Sequence, residues 1–177
     1  MPTGFWTDVN TEPKRNFRFL LLIGGIPQWI VKKTGKPNFT IKDTVHKYLN
    51  HSFHYPGGVE WEKITVELVD PVAPDASRTI QDIISASGYH FPENPDDIST
   101  ISKRSACSAL GQVTIQQVGA VEGEIVEEWV LWNAWISSVK YGELDYNSEE
   151  LTTLSIELTY DFAEMTKSGQ GARPANS

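Results

Sequence analysis

The stretch Glu127–Phe162, "EEWVLWNAWISSVKYGELDYNSEELTTLSIELTYDF", decides how the chain is read. Its second half alternates: Leu154, Ile156, Leu158, Tyr160 and Phe162 share one face, and Thr153, Ser155, Glu157, Thr159 and Asp161 share the other. One apolar and one polar face is the pattern of a half-buried strand. The first half places Trp129, Trp132 and Trp135 three apart, a spacing that also fits a helical stripe. Its richness in Val, Ile and Trp favours a strand, apolar on both faces and therefore covered on both sides. "YGELDYNSEE" at 141–150 reads as the turn between the two strands. So much aromatic surface, with no histidine or cysteine in the run, points to a core, an assembly interface or a stacking platform.

Working outward, the rest of the chain is also mostly β. "NFRFLLLIGG" puts Phe17, Phe19, Leu21 and Ile23 on one face and ends at paired glycines. Residues 38–55 read as extended chain, with "PGG" at 56–58 as a turn. "VEWEKITVELVD" resumes the alternation through Val59 and Trp61 and, past a bulge at Glu62–Lys63, through Ile64, Val66 and Leu68. One helix is expected, over 75–88, where Ile80, Ile83 and Ile84 have helical spacing. Asp75 or Ser77 can cap its start and Gly88 stands at its stop. A Pro- and Asp-rich loop at 92–97, a strand near 108–118 and a Gly-rich turn near 119–123 complete the reading. Residues 1–15 and 166–177 are polar and aperiodic, so they are expected to be a flexible amino-terminal arm and a disordered tail around one domain at 16–165.

The 177 residues suffice for a domain with a real core. The longest apolar run, "FLLLI" at 19–23, is strand-sized and far short of a membrane span. The amino terminus shows no apolar stretch of signal-peptide length, and Cys107 stands alone, which fits synthesis in a reducing cytoplasm. A net charge of −8 opposes nonspecific attachment to phosphate backbones, yet suits a conduit that must not grip its cargo.

Catalytic and metal readings fail on spacing. On a continuous strand His46 and His54 would lie about 26 Å apart and His51 would point the other way, so zinc binding requires the segment to fold back. "GGIPQWIVKKTGKP" has Ile30 where a phosphate loop needs glycine, and Pro37 in place of Ser or Thr. The acceptor triplets at 38–40 and 50–52 read as chance matches without a signal peptide. Asp70 in "LVDP" suits a turn or cap role, and Cys107 a small buried hydrophobe. No acid–base pair emerges and no cofactor is implied. The aromatic residues are not interleaved with basic ones, which weakens a nucleic-acid stacking platform.

Three motifs carry a resemblance. "EWVLWNAW" (128–135), "YGELDYNSEE" (141–150) and "LSIELTYDF" (154–162) resemble, in order and spacing, the carboxy-terminal half of contractile-phage tail tube proteins. "FRFLLLIGGIP" (17–27) and "HKYLNHSFHYPGGVEWEKITVELVDP" (46–71) are similar to their amino-terminal half, whereas 89–109 does not align. The resemblance implies a small antiparallel β-barrel or sandwich with one flanking helix, its inner sheet shared between subunits. Hexameric rings would stack into a tube that conducts double-stranded DNA, with sheath and baseplate proteins as partners and no membrane. Assembly in the host cytoplasm and residence in the virion tail follow. Tyr48, Asn50, His51, Phe53 and Tyr55, in a long mixed segment from Asp43 to Gly58, become candidates for contact with the next subunit or ring. Thr153, Ser155, Glu157, Thr159 and Asp161, with Thr65 and Glu67, become candidates for facing the lumen, since small polar and acidic groups avoid phosphate contacts. A baseplate tube-initiator, the tube of a related injection or secretion device, and a monomeric ligand-binding β-sandwich are the alternatives.

Overall fold

In the computed structural model, which describes residues 13–121 and 123–167, the long tryptophan run is not one strand. Asn133 adopts φ 54°, in the left-handed region that Asn tolerates better than most residues. The chain turns a corner there, so β7 (Ile125–Trp132) and β8 (Trp135–Lys140) belong to different sheets. A second corner at Tyr160–Asp161 divides the alternating run into β9 (Thr153–Thr159) and β10 (Phe162–Lys167). The predicted row of five apolar residues therefore stops short. Leu154, Ile156, Leu158 and Tyr160 are buried, while Phe162 lies in the other sheet, half exposed and stacked on Trp132 with ring centroids 5.9 Å apart.

The remaining strands are β1 (Phe19–Leu22), β2 (Val31–Thr34), β3 (Phe39–Tyr48), β4 (His51–Trp61), β5 (Ile64–Val69) and β6 (Val113–Val118). They form two four-stranded antiparallel sheets, ordered β1-β6-β7-β10 and β2-β5-β9-β8, and a separate two-stranded sheet of β3 and β4. Neither large sheet closes into a barrel. The first contributes Leu21, Val113, Ile115 and Leu131 to the core, and the second contributes Ile64, Val66, Leu68, Leu154, Ile156 and Leu158. Burying each such side chain is worth about 1.5–3 kcal/mol.

The expected helix forms as α1 (Ala76–Ala86). The Asp75 carboxylate accepts from the Arg78 N–H at 2.9 Å, and Gly88 follows at φ 106°. Asp70 serves as a second cap, accepting from both the N–H and the hydroxyl of Ser77. Ile80 is fully buried in the common core. The expectation of a single helix and of a strand from 108 is corrected by α2 (Lys103–Leu110), where Ser102 caps the start and Gly111 at φ 74° ends it. Ala106 and Leu110, one turn apart, are its buried residues, and Cys107 is half-buried. Among the described residues no helix is long and apolar enough to cross a membrane.

"PGG" is not a turn. The chain reverses at Leu49–Asn50, with Leu49 at φ 51°, and β4 runs straight through Pro56–Gly58. Glu62–Lys63 is the link from β4 to β5, where the chain passes between two sheets. Pro56 is tolerated beside the register shift opposite Asp43, where ladder bonds are already interrupted. At the ends, β10 continues to Lys167, past the expected start of the tail at 166, and Lys14 is bound to Glu127. The rest of the expected arm and tail, 1–12 and 168–177, lies outside the described residues.

Candidate assembly surfaces

The segment from Asp43 to Gly58 is neither a free loop nor one long strand. It is most of a hairpin arm formed by β3 and β4, which among the described residues pair only with each other. At its root the Phe39 ring packs on Trp61 (centroids 5.1 Å apart) and Trp61 packs on Tyr160 (6.0 Å), tying the arm to the end of β9. The Glu62 N–H donates to the Asn38 carbonyl at 2.9 Å. Beyond that root every arm residue from Phe39 to Glu60 is exposed.

Register sorts the arm's side chains. Thr44, His46 and Tyr48 lie opposite Tyr55, Phe53 and His51 on one face; Asp43, Val45 and Lys47 lie opposite Pro56, His54 and Ser52 on the other. The five contact candidates are therefore brought together at the outer part of the arm. Tyr48, Phe53, Tyr55 and His51 share a face, and Asn50 sits in the turn. The fold-back that zinc binding would require does occur, but it places His46 and His54 on opposite faces, and His54 Nδ1 lies 2.6 Å from Asp43 Oδ2. Among the described residues no group of three or more His, Cys, Asp or Glu is placed to hold a metal ion.

The polar row of β9 lies on the face of the second sheet opposite the core. Thr153, Ser155 and Glu157 are joined there by Glu67 and Thr65, which pair with Ser155 and Glu157, and by Ser138 and Lys140 of β8. Glu67 accepts from Lys32 at 2.9 Å. Two members of the predicted row depart from it. The Thr159 hydroxyl, in register with Trp135, is enclosed and has no hydrogen-bond partner among the described residues. Asp161 stands past the strand end, held by Lys103 Nζ at 2.6 Å and Asn133 Nδ2 at 2.7 Å. Those two hydrogen bonds, Lys103 first, lower its pKa.

Sequence reasoning missed Glu127. It is only 5% exposed and projects between the sheets at their open mouth, beside Gln117. Lys14 and Lys36 both donate to its carboxylate, Lys36 at 2.9 Å, and the Trp129 indole N–H donates at 2.5 Å. Burial pushes the carboxyl upward, but the two ammonium groups and the indole outweigh it and hold the pKa at about 2. Nothing in "VEEWV" distinguishes Glu127 from Glu128, because the two ammonium groups that hold it come from distant parts of the chain.

No family model matches the sequence, and no curated protein matches it. Solved structures do match in shape. A chain of the anti-feeding prophage baseplate superposes with a TM-score of 0.64 at 15% identity, covering 90% of this chain and 99% of that one. A chain of the same particle's tube-terminating cap gives 0.65 at 15% identity over 93% and 98%. A chain of the PVC sheath–tube complex, from an extracellular contractile injection system, gives 0.64 at 16% identity over 93% and 99%. The fold is one used in contractile injection machines. The mainly β, antiparallel architecture implied by the tail-tube motifs is the one observed, with two helices in place of one and open sheets in place of a barrel.

Proposed function

We propose that this chain is a structural subunit of a contractile tail, forming hexameric rings that stack into a hollow tube inside a sheath and on a baseplate. The observation that carries this reading is the β3–β4 arm. An isolated two-stranded hairpin is marginal in water, and this one also exposes Phe39, Ile41, Val45, Tyr48, Phe53, Tyr55 and Val59. Such a structure is stabilised when another subunit covers it. The outer strands of both sheets, which have no further strand beside them among the described residues, offer further backbone groups for joining copies around a ring. The polar face of the second sheet, where Thr65, Glu67, Ser155 and Glu157 stand beside Lys33 and Lys140, carries carboxylates that offset its cations, and we assign it to a lumen through which double-stranded DNA passes. On this reading the protein resides in the virion tail after assembly in the host cytoplasm, and its role is structural.

A second reading is favoured by the shape matches to baseplate and cap chains, which equal the match to the sheath–tube complex. The subunit would then form a single ring that starts or ends a tube, or build the tube of an injection device with another cargo. Negative-stain microscopy and sedimentation of the full chain separate these: stacked tubes support the first reading and lone rings the second. The double variant Tyr48→Ser/Phe53→Ser should keep its circular dichroism spectrum and lose stacking. Monomers alone at tens of micromolar, or tubes that form as readily in the variant, would overturn the reading.

A further inference from the structure

The segment 141–152, between β8 and β9, combines exposed apolar groups with charge of one sign. Leu144, at 90% exposure, Tyr146 and Leu151 stand in solvent, and with Glu143, Asp145, Ser148, Glu150 and Thr152 they wall an open groove of about 560 Å³. Glu143, Asp145, Glu149 and Glu150 give the segment four carboxylates and no cation. It is nevertheless pre-formed. The Asn147 N–H donates to the Asp145 carboxylate at 3.0 Å, the Asp70 N–H to the Thr152 carbonyl at 2.9 Å, and Gln81 Nε2 to the Tyr141 hydroxyl at 2.6 Å.

The tip of the β3–β4 arm has the complementary character. Residues 44–54, "TVHKYLNHSFH", contain Lys47 and three histidines and no carboxylate. Tyr48, Leu49 (85% exposed) and Phe53 are apolar groups at its outer end, with Val45 further in. The two surfaces belong to opposite ends of the second sheet. The arm is rooted where Trp61 meets Tyr160, just past the end of β9, whereas the 141–152 segment leads into its start at Thr153. Six residue steps of strand separate them, roughly 20 Å. Because the arm residues are exposed, the arm does not lie back along its own sheet.

We infer that the arm tip of one copy inserts into the 141–152 groove of the next copy, with Tyr48 and Phe53 on one face of the hairpin and Leu49 at its turn covering Leu144, Tyr146 and Leu151, while Lys47 meets the carboxylates from the other face. A surface at one end that fits a different surface at the other end makes a head-to-tail contact, which propagates rather than closing on a dimer. Opposite charge selects this pairing over arm-to-arm contact, and the pre-formed groove lowers the ordering cost of binding. The inference rests on the proposed self-assembly and adds to it the receiving surface.

The test uses the full chain as wild type, Lys47→Glu, Glu149→Lys/Glu150→Lys, and the combined reversal, read by sedimentation and negative-stain microscopy. Each single reversal should raise the concentration needed for assembly about ten-fold or more, and the combined reversal should restore it to within about three-fold. If a reversed chain loses its native circular dichroism spectrum, Leu144→Ser/Tyr146→Ser replaces it and should raise the assembly concentration likewise. Wild-type assembly unaffected by the loop substitutions overturns this inference and leaves the proposed function standing. Impaired single reversals with no recovery in the combination also overturn it, because the two surfaces then meet different partners. A wild type that never assembles removes both readings.

Discussion

Glu127→Gln isolates the clasp at the mouth of the two sheets. Glu127 is the one charged side chain in the buried set of described residues, and it draws together three parts of the chain: Lys14 before β1, Lys36 after β2, and Trp129 on its own strand. Its carboxyl falls from an ordinary 4.5 to about 2 on folding, which corresponds to about 3 kcal/mol of stability at neutral pH. Because the folded value is the lower one, this stability is fully present above about pH 4.5 and disappears as pH falls through 2. Lys14 and Lys36 are each about half exposed, at 44% and 48%, so solvent screening pulls the expected loss toward about 2 kcal/mol. Glutamine keeps the shape but neither attracts two ammonium groups nor titrates. Urea unfolding below the assembly concentration, followed by tryptophan fluorescence, should show the variant about 2–3 kcal/mol less stable at pH 7, with the gap closing as pH approaches 2. Guanidinium is avoided because its salt screens the pairs. A gap below about 0.5 kcal/mol at pH 7, the size of an ordinary surface substitution, would refute the clasp. So would an equal gap at pH 7 and pH 2.5.

Two further substitutions probe other surfaces. Gly142 has φ 83°, and a Cβ there would lie 2.4 Å from the Thr153 carbonyl oxygen, so Gly142→Ala should cost about 1–3 kcal/mol and lower Tm by about 2–12 °C; an unchanged melting curve would contradict the backbone geometry of the loop. Thr65→Lys/Glu157→Lys places two cations on the polar face of the second sheet while leaving the Asp161–Lys103 pair intact, and should make assembled tubes retain DNA at low salt and release it as salt rises. Normal tubes with no gain in DNA retention would put that face outside the lumen.

What the sequence revealed follows how local each signal is. Helix α1 was legible because its cap at Asp75, its isoleucine spacing and its stop at Gly88 lie within one short window. Helix α2 was not, because "KRSACSAL" buries only Ala106 and Leu110 and looks polar on any apolar scale. The corners at Asn133–Ala134 and Tyr160–Asp161 were hidden for a different reason. A strand that crosses to the facing sheet keeps an apolar–polar rhythm through the crossing, so alternation cannot show where one layer is left for the other. The arm was misread because Pro-Gly-Gly is a stronger turn signal than Leu49–Asn50, yet the reversal fell at the latter. Its aromatic contact candidates were nevertheless visible as residues with too much apolar surface for a loop, and Glu127 had no local signal at all.

The two corners lie side by side, and their placement has a mechanical meaning. The Asp161 N–H donates to the Trp132 carbonyl at 3.0 Å, its carboxylate takes the Asn133 amide, and Lys103 clamps the same carboxylate from α2. A pair of layers joined by side-chain packing alone yields to a sideways force at the greasy plane between them. Here the covalent chain crosses that plane twice at one point, riveted by hydrogen bonds, so a push along one layer is passed to the other as tension in backbone bonds. Slippage between the layers would have to break that rivet first.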